Sequence, residues 1–322
     1  MAILLFGTNV VDIQSGTNAG ADTGAGVKSP YATSAVRVDN GDNFSFGQLD
    51  TGEADFWFSV YAYLPADSGT EVLFEVSGGG TALFRVQTNG SNDLTLELFN
   101  GSVWNDSGVT ASTYTADTLM KFDVRINVSD TGNFTVYRDG VNILDFSGDT
   151  LLTAQTTLDE VTLSGSTNVA FTRYSGFFIA NEDTTLIEMA SLHPSGNGVN
   201  TAWLGDFTDI NESVAVEGNF ISTQINNAQE SYTKAAISTD FNSGYSVLSV
   251  GIRCEGRRAA TGPQQLQLLC RSGTTDGVSA TQSMAISTEL KQAFFDTDPD
   301  TAAAWADVTA VNNCEIGVKS IA

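Results

Sequence analysis

Basic residues are scarce in this sequence. Lys and Arg together number 14 against 38 Asp and Glu, which gives a formal net charge of −24. A surface with that charge repels the phosphates of nucleic acids and of anionic membranes, so we expect neither as a partner. The basic cluster Arg253, Arg257 and Arg258 is interrupted by Glu255, and we interpret it as a solvated strand end.

Histidine and cysteine are also rare, which limits the chemistry that the chain can perform. Zinc needs several Cys or His ligands at close spacing, whereas this sequence has 1 His and 3 Cys. His193 lies beside Pro194, and no Gly-x-Ser-x-Gly motif accompanies it, which argues against a Ser-His-Asp hydrolase. Cys254 and Cys270 lie in alternating apolar segments and are interpreted as small core residues.

Long apolar runs are missing as well. None approaches the roughly 20 residues that cross a bilayer, so no membrane insertion is expected. Residues 1–7, MAILLFG, lack the basic region of a signal peptide. They are predicted to form a first strand, in a chain made in a reducing cytosol.

The clearest pattern that is present runs over residues 118–150. Phe122, Val124 and Ile126 alternate with polar residues, the period of two expected for a half-buried strand. Two more strands are predicted beyond the turns at residues 129–133 and 139–140. Together they predict an antiparallel meander.

The same pattern recurs along the chain and predicts an all-β protein. Strands about 8 to 12 residues apart, joined by Gly, Asn and Asp turns, are typical of two-sheet sandwiches. One short helix is expected at residues 300–308. The polar stretch SLHPSGNGVN predicts a linker at residues 191–200 between a domain at 1–190 and a smaller β-sandwich at 201–322.

Residues 1–190 resemble the concanavalin A-like lectin/glucanase jelly roll in its laminin-G-like branch. The resemblance rests on KFDVRINVSDTGNFTVYRDGVNILDFSGD, FWFSVY and YSGFFIA. It implies an N-terminal jelly-roll β-sandwich. Glucanases of this class place paired carboxylates on one strand as Glu-x-Asp-x-x-Glu, where an acid and a nucleophile can flank a glycosidic bond.

That carboxylate pattern is incomplete here. Glu53 and Asp55 begin it, but Phe58 stands in the third position. Glu71 and Glu75 are interpreted as solvated strand residues. We therefore expect no catalytic residues and predict that the chain is not an enzyme.

A glycan-binding site is predicted at Trp104, Asn105 and Asp106, in a loop between two glycines. An exposed aromatic ring can stack on a sugar, while amide and carboxylate groups bind its hydroxyls. The alternative is a tryptophan that caps the edge of the sandwich.

A calcium site is the one cofactor site that the sequence suggests. Asp39 and Asp42 supply hard oxygen ligands in the turn DNGD, and some members of the resembled class bind calcium through loop carboxylates. The alternative is that these residues only serve the geometry of the turn.

Residues 201–322 resemble a module of structural proteins of tailed bacteriophages. The matching stretches are TAWLGDFTDINE, NFIST and DTDPDTAAAWA. The resemblance implies a non-enzymatic virion component: a tail fibre or tip, or a capsid or collar decoration. Other virion proteins and host-surface glycans would be its partners, and the host bacterial cytoplasm its place of synthesis.

Two functions therefore stand side by side. One is this structural or adhesion role in a virion, for which a homotrimer is expected. The alternative is an extracellular carbohydrate-binding or glycan-hydrolysing protein.

Overall fold

A computed structural model describes residues 3–7, 15–16, 19–22, 35–38, 42–66, 70–110, 114–165, 172–211, 218–237 and 245–322. The chain divides into two compact units, Met1–Ser191 (unit 1) and Leu192–Ala322 (unit 2). In the described part of the chain, no helix is long and apolar enough to cross a membrane.

Unit 1 consists of antiparallel strands. They are β1 (Ile3–Gly7), β2 (Ser15–Gly16), β3 (Ala19–Asp22), β4 (Ala35–Val38), β5 (Asn43–Glu53), β6 (Asp55–Leu64), β7 (Val72–Gly78), β8 (Thr81–Thr88), β9 (Leu94–Phe99), β10 (Trp104–Thr110), β11 (Thr118–Asn127), β12 (Gly132–Arg138), β13 (Val141–Gly148), β14 (Leu158–Ser164) and β15 (Thr172–Ala180).

Two sheets pack face to face in unit 1. Within the described residues, sheet A has the order β13-β12-β11-β6-β15-β4-β3 with β1 also on β15, and sheet B has the order β10-β9-β8-β7-β14-β5-β2. Aromatic side chains from both sheets meet between them: Phe58 of β6 lies edge-on to Phe74 of β7, with ring centroids 5.0 Å apart. The predicted all-β sandwich is confirmed for unit 1.

The predicted meander is also confirmed, as β11, β12 and β13. Phe122, Val124 and Ile126 point into the core and are at most 3% exposed. The β12–β13 turn has φ 51° at Asp139 and 77° at Gly140, the two positive values of a type I′ turn.

In the residues that the structure describes, unit 2 is a smaller β-structure with one short α-helix and one 3-10 helix at Phe207–Asp209. Its elements are β16 (Pro194–Thr201), β17 (Gln229–Lys234), β18 (Val250–Gly256), β19 (Gln265–Ser272), β20 (Thr275–Val278), β21 (Gln282–Ser283), β22 (Glu289–Phe295), α1 (Val308–Asn312) and β23 (Glu315–Ile321).

The second sandwich that the sequence predicts is confirmed in unit 2. One sheet has the order β16-β17-β23-β19-β20 with β21 on β19, and β18 pairs with β22 in a second sheet. Their apolar side chains form one core around Leu268 and Trp305. Trp305 is 4% exposed, and its indole Nε1 donates to the carbonyl of Phe295 at 2.7 Å.

The predicted linker at residues 191–200 is wrong for most of its length, because β16 pairs there with β17. Its glycines serve close packing: a Cβ at Gly198 would overlap the side chains of Ser231 and Glu315. Those same side chains accept hydrogen bonds from the backbone of β16, Glu315 from Val199 N and Ser231 from Asn200 N, each at 3.0 Å.

The predicted helix is displaced. It begins at Val308, where the prediction ended, because the Asp307 side chain caps it by accepting from Ala310 N at 2.9 Å. The preceding residues are held in a turn in which Asp298 accepts from Asp300 N at 3.0 Å.

Candidate functional site

The sequence-predicted glycan residues lie on the edge strand β10 of sheet B. Trp104 pairs with Phe99, Asn105 with Leu98, and Asp106 with Glu97. Because side chains alternate along a strand, Trp104 and Asp106 share the outer face of sheet B, whereas Asn105 points to the other face. The structure thus brings two of the three predicted residues together.

Trp104 is itself covered by neighbours. The Arg85 guanidinium carbon lies 4.3 Å from the centroid of the indole, and Phe99 tilts against it at 5.3 Å. Asp106 Oδ1 accepts from Gly108 N at 2.8 Å, so part of this carboxylate already serves a local turn. The glycan assignment at Trp104 stays a prediction.

The predicted calcium ligands are only partly visible. Asp39 lies outside the described residues. Asp42 directly precedes β5, and its backbone carbonyl accepts from Gly165 N at 2.8 Å. Across the described ranges, no three Asp, Glu, His or Cys side chains converge as a metal site would require, and calcium binding stays a prediction.

A richer set of functional groups lies on the outer face of sheet A, the face turned away from the core. Phe56, Phe58 and Val60 of β6 point inward and are at most 1% exposed. The intervening residues of β6, and their partners on β11, β12 and β15, point outward. These outward side chains are Trp57, Ser59, Tyr61, Tyr63, Lys121, Asp123, Arg125, Tyr137 and Arg173.

Two aromatic rings on this face are stacked on each other, and we call this stacked pair the platform. Trp57 and Tyr137 are nearly parallel, with an interplanar angle of 16° and centroids 6.2 Å apart. Arg125, between them on β11, lies 5.6 Å from the Trp57 centroid. Tyr137 is half-buried, and Trp57 is 6% exposed, so the Tyr137 ring is the more accessible part.

Arg125 is fixed beside the platform by a two-point contact with Asp55. Its Nε donates to Oδ1 at 3.0 Å and its Nη2 to Oδ2 at 2.8 Å. The hydrogen bond with Asp55 raises the pKa of Arg125 further, and Asp183 contributes to the same rise. The two parallel hydrogen bonds fix the direction of the Arg125 guanidinium.

A buried charged cluster adjoins the platform on β11. Lys121 is 5% exposed and Asp123 is 0% exposed, with Lys121 Nζ 3.4 Å from Asp123 Oδ1 and 3.8 Å from Glu188 Oε1. Glu188 Oε2 also accepts from the Tyr61 hydroxyl at 2.7 Å. The cluster contains two carboxyl groups around one ammonium.

The pKa of Asp123 is raised above its ordinary value because burial penalises the charged carboxylate. Lys121 and the hydroxyls of Ser59 and Thr184 oppose that rise. The alternation of β11 suggested a solvated Asp123; that interpretation is wrong, because residues 181–190 cover it. Carboxyl groups with shifted pKa values are common at functional sites.

The sequence suggested that Glu71 and Glu75 are solvated, but neither side chain is fully exposed in the structure. Glu71 is 3% exposed and Glu75 is half-buried on the outer face of sheet B. Burial raises the pKa of Glu75, Arg85 lowers it, and Glu160 raises it.

The platform was missed from sequence because FWFSVYAY reads as one apolar stretch, in which Trp57 counts as core. Strict alternation was the available signal. Counted from Phe56, it puts Trp57, Tyr61 and Tyr63 on the face opposite the phenylalanines. No comparable sequence pattern indicates that residues 181–190 cover Asp123.

No protein-family model matches the sequence, and a search of curated proteins found no match. Among solved structures, the chain is similar to an endo-β-1,4-glucuronan lyase from the fungus Trichoderma reesei, at 12% identity over 56% of this chain and 95% of that one, with TM-score 0.41.

Two further solved structures give the same result. A cellulose induced protein matches at 14% identity over 52% of this chain and 87% of that one, with TM-score 0.39. An alginate lyase matches at 11% identity over 50% and 86%, with TM-score 0.36. At these identities and TM-scores, the likeness does not assign an activity to this chain. No bacteriophage protein is among the structures described here.

The prediction that the chain is not an enzyme is contradicted by these matches. The glucuronan lyase, the alginate lyase and a Trypanosoma rangeli sialidase are all enzymes. The Glu-x-Asp-x-x-Glu pattern describes only one arrangement of glucanase carboxylates. Its incompleteness in this chain therefore does not exclude other glycan-degrading activities.

Proposed function

We propose that the chain binds carbohydrate on the outer face of sheet A. The observation that carries the proposal is the platform: the near-parallel rings of Trp57 and Tyr137, with the Arg125–Asp55 pair fixed beside them. The proposal rests on these side chains and not on the likeness to solved structures.

The chemistry of a sugar matches this arrangement. One face of a pyranose ring carries C–H groups, which pack on the electron-rich face of an aromatic ring. Its hydroxyls are both donors and acceptors, and a guanidinium beside a carboxylate offers both in fixed directions. Rigid partners also reduce the entropy lost on binding.

A neutral glycan suits this face better than a polyanionic one. Arg125 is paired with Asp55, and Lys121 with Asp123 and Glu188. The chain as a whole carries a net charge of −24, which repels polyanions over long range. We expect binding to neutral β-glucans to exceed binding to alginate.

Substitution tests the proposal directly. Glycan-array screening identifies a ligand, and calorimetry then compares Tyr137→Ala with the unmodified chain. We expect about a fivefold loss of affinity, because one stacked ring contributes roughly 1 kcal/mol. Trp104→Ala, at the sequence-predicted site on sheet B, is the matched control. Loss with Trp104→Ala and none with Tyr137→Ala would refute the platform.

The same glycans should be tested for cleavage. Glu188 lies on the proposed binding face with its side chain 15% exposed, and a carboxyl group within reach of a bound glycan can act as a general acid or base. Release of new sugar ends, abolished by Glu188→Gln, would extend the proposal from binding to catalysis.

The virion role of residues 201–322 stays a prediction from sequence resemblance, as do the homotrimer and the virion location. Glycan display on a particle would agree with a carbohydrate-binding unit 1. Mass spectrometry of purified particles and light scattering of the free chain would test these three points.

A further inference from the structure

Residues 181–190, which follow β15, run over the outer face of sheet A; we call them the strap. The Lys121 ammonium donates to three strap carbonyls: Ile187 at 2.7 Å, Thr184 at 3.1 Å and Thr185 at 3.4 Å. Thr184 is 0% exposed. Within the strap, Ile187 N donates to the Thr184 carbonyl at 3.0 Å and Thr185 N donates to Asp183 Oδ1 at 2.8 Å.

Side chains add a second attachment. Strap residue Glu188 bonds the Tyr61 hydroxyl and lies near the Lys121 ammonium. Asp123 lies beneath the strap, completely buried. Lys121 therefore joins the sheet to the strap through one nearly buried cation, in surroundings where charge-assisted hydrogen bonds are strong.

We infer that Lys121 is a positioning residue that pins the strap beside the platform, so that the strap forms one wall of the glycan site. The role of the strap as a wall rests on the proposed function, whereas its attachment to the sheet rests on the contacts of Lys121. Asp123, which lies beneath the strap, pairs with Tyr137 of the platform across β11 and β12, so the strap and the platform are neighbours on this face.

The contacts also argue against a direct role for Lys121 in binding. An ammonium has three hydrogens, and three carbonyls already accept from this one. It has no donor left for a ligand, and its side chain is 6% exposed. Its effect on a bound glycan must pass through the strap.

The test removes the whole buried pair. Lys121→Met alone leaves the Asp123 carboxylate buried without its cation, which can unfold a protein. The double variant Lys121→Met/Asp123→Leu removes the fully buried charge together with its cation, and Glu188, which is 15% exposed, keeps the Tyr61 hydroxyl as a partner. We expect the peptide covering residues 181–190 to exchange its amide hydrogens at least about tenfold faster, with peptides of β6 and β11 unchanged. Glycan affinity should fall at least about tenfold.

A matched control removes an ion pair elsewhere. Arg271 Nη1 and Asp276 Oδ1 lie 2.6 Å apart in unit 2. The variant Arg271→Met/Asp276→Leu should change neither strap exchange nor glycan affinity; an equal effect from it would overturn the assignment.

The outcomes separate the two proposals. Unchanged strap exchange overturns the pinning by Lys121. Faster exchange with full glycan affinity overturns the strap as a wall of the site. If the unmodified chain binds no glycan, the proposed function fails, and the exchange rates still decide whether Lys121 holds the strap.

Discussion

Glu75 is a half-buried carboxyl on the outer face of sheet B, and burial raises its pKa above the ordinary 4.5. The folded form then binds a proton more tightly than the unfolded chain, so folding is favoured at low pH and that contribution is lost as the pH rises through the folded pKa. We predict that Glu75→Gln is more stable than the unmodified chain at pH 7, and that the difference disappears below pH 4.5.

Urea unfolding at both pH values measures this effect. Arg85 keeps a partner in the variant because it also pairs with Glu97. An equal stability difference at the two pH values would show that charge burial at Glu75 is not the cause.

The hydroxyl of Thr150, just after β13, forms hydrogen bonds to the backbone at the end of β11 and in the turn that follows it. Its Oγ1 donates to the carbonyl of Asn127 at 2.7 Å and accepts from Ser129 N at 2.9 Å, at a position 4% exposed. Thr150→Val keeps the shape and leaves the Ser129 N–H unpaired, so we expect a loss of about 1–3 kcal/mol in chemical denaturation. Thr110→Val, on an exposed strand position, should cost much less; equal costs would exclude the hydrogen bonds as the cause.

The sequence predicts the burial of some residues and not of others. The inward positions of β11 follow from alternation, because one face is apolar and the other polar. In β6, alternation assigns the residues to two faces, but aromatic residues occupy both faces, so the residue types do not show which face is buried. The burial of Asp123 depends on the strap, which lies some 60 residues further along the chain and is joined to it through backbone carbonyls.

The start of β12 is tightly packed against the meander's closing residue. A Cβ at Gly132 would overlap Thr150 Oγ1 and the carbonyl oxygen of Asn127. Since a backbone atom cannot rotate away, we expect Gly132→Ala to cost about 1–3 kcal/mol in the same denaturation experiment. Gly256→Ala is the control, because its nearest atom is the flexible tip of Met284 at 3.0 Å. A loss no larger than the control's would show that the turn can relax.

Elements whose hydrophobic period is clear were predictable, and irregular ones were not. The meander and the all-β class follow from local alternation and turn residues. The strand β16 does not, because PSGNGVNT has the composition of a loop and becomes a strand only through its pairing with β17 and the approach of Ser231 and Glu315. The platform needs residues from β6 and β12, with β11 between them, and the sequence of no single strand specifies that order.

Each unit closes its own hydrophobic core. The core of unit 1 draws on both of its sheets and contains Leu94, while that of unit 2 contains Leu268; both leucines are 0% exposed. A cavity at either position removes packing from one core only. Cooperative unfolding should therefore divide between the units.

Matched substitutions test this division in the intact chain. Leu94→Ala and Leu268→Ala remove the same atoms, each at an expected cost of about 2–5 kcal/mol. We predict two thermal transitions in calorimetry, with Leu94→Ala lowering one and Leu268→Ala lowering the other. The glycan ligand, once identified, should raise only the transition that Leu94→Ala lowers, because a ligand stabilises the unit that binds it. A single transition shifted by both variants would mean that the units unfold together. If the ligand raised the transition that Leu268→Ala lowers, the binding site would not be in unit 1.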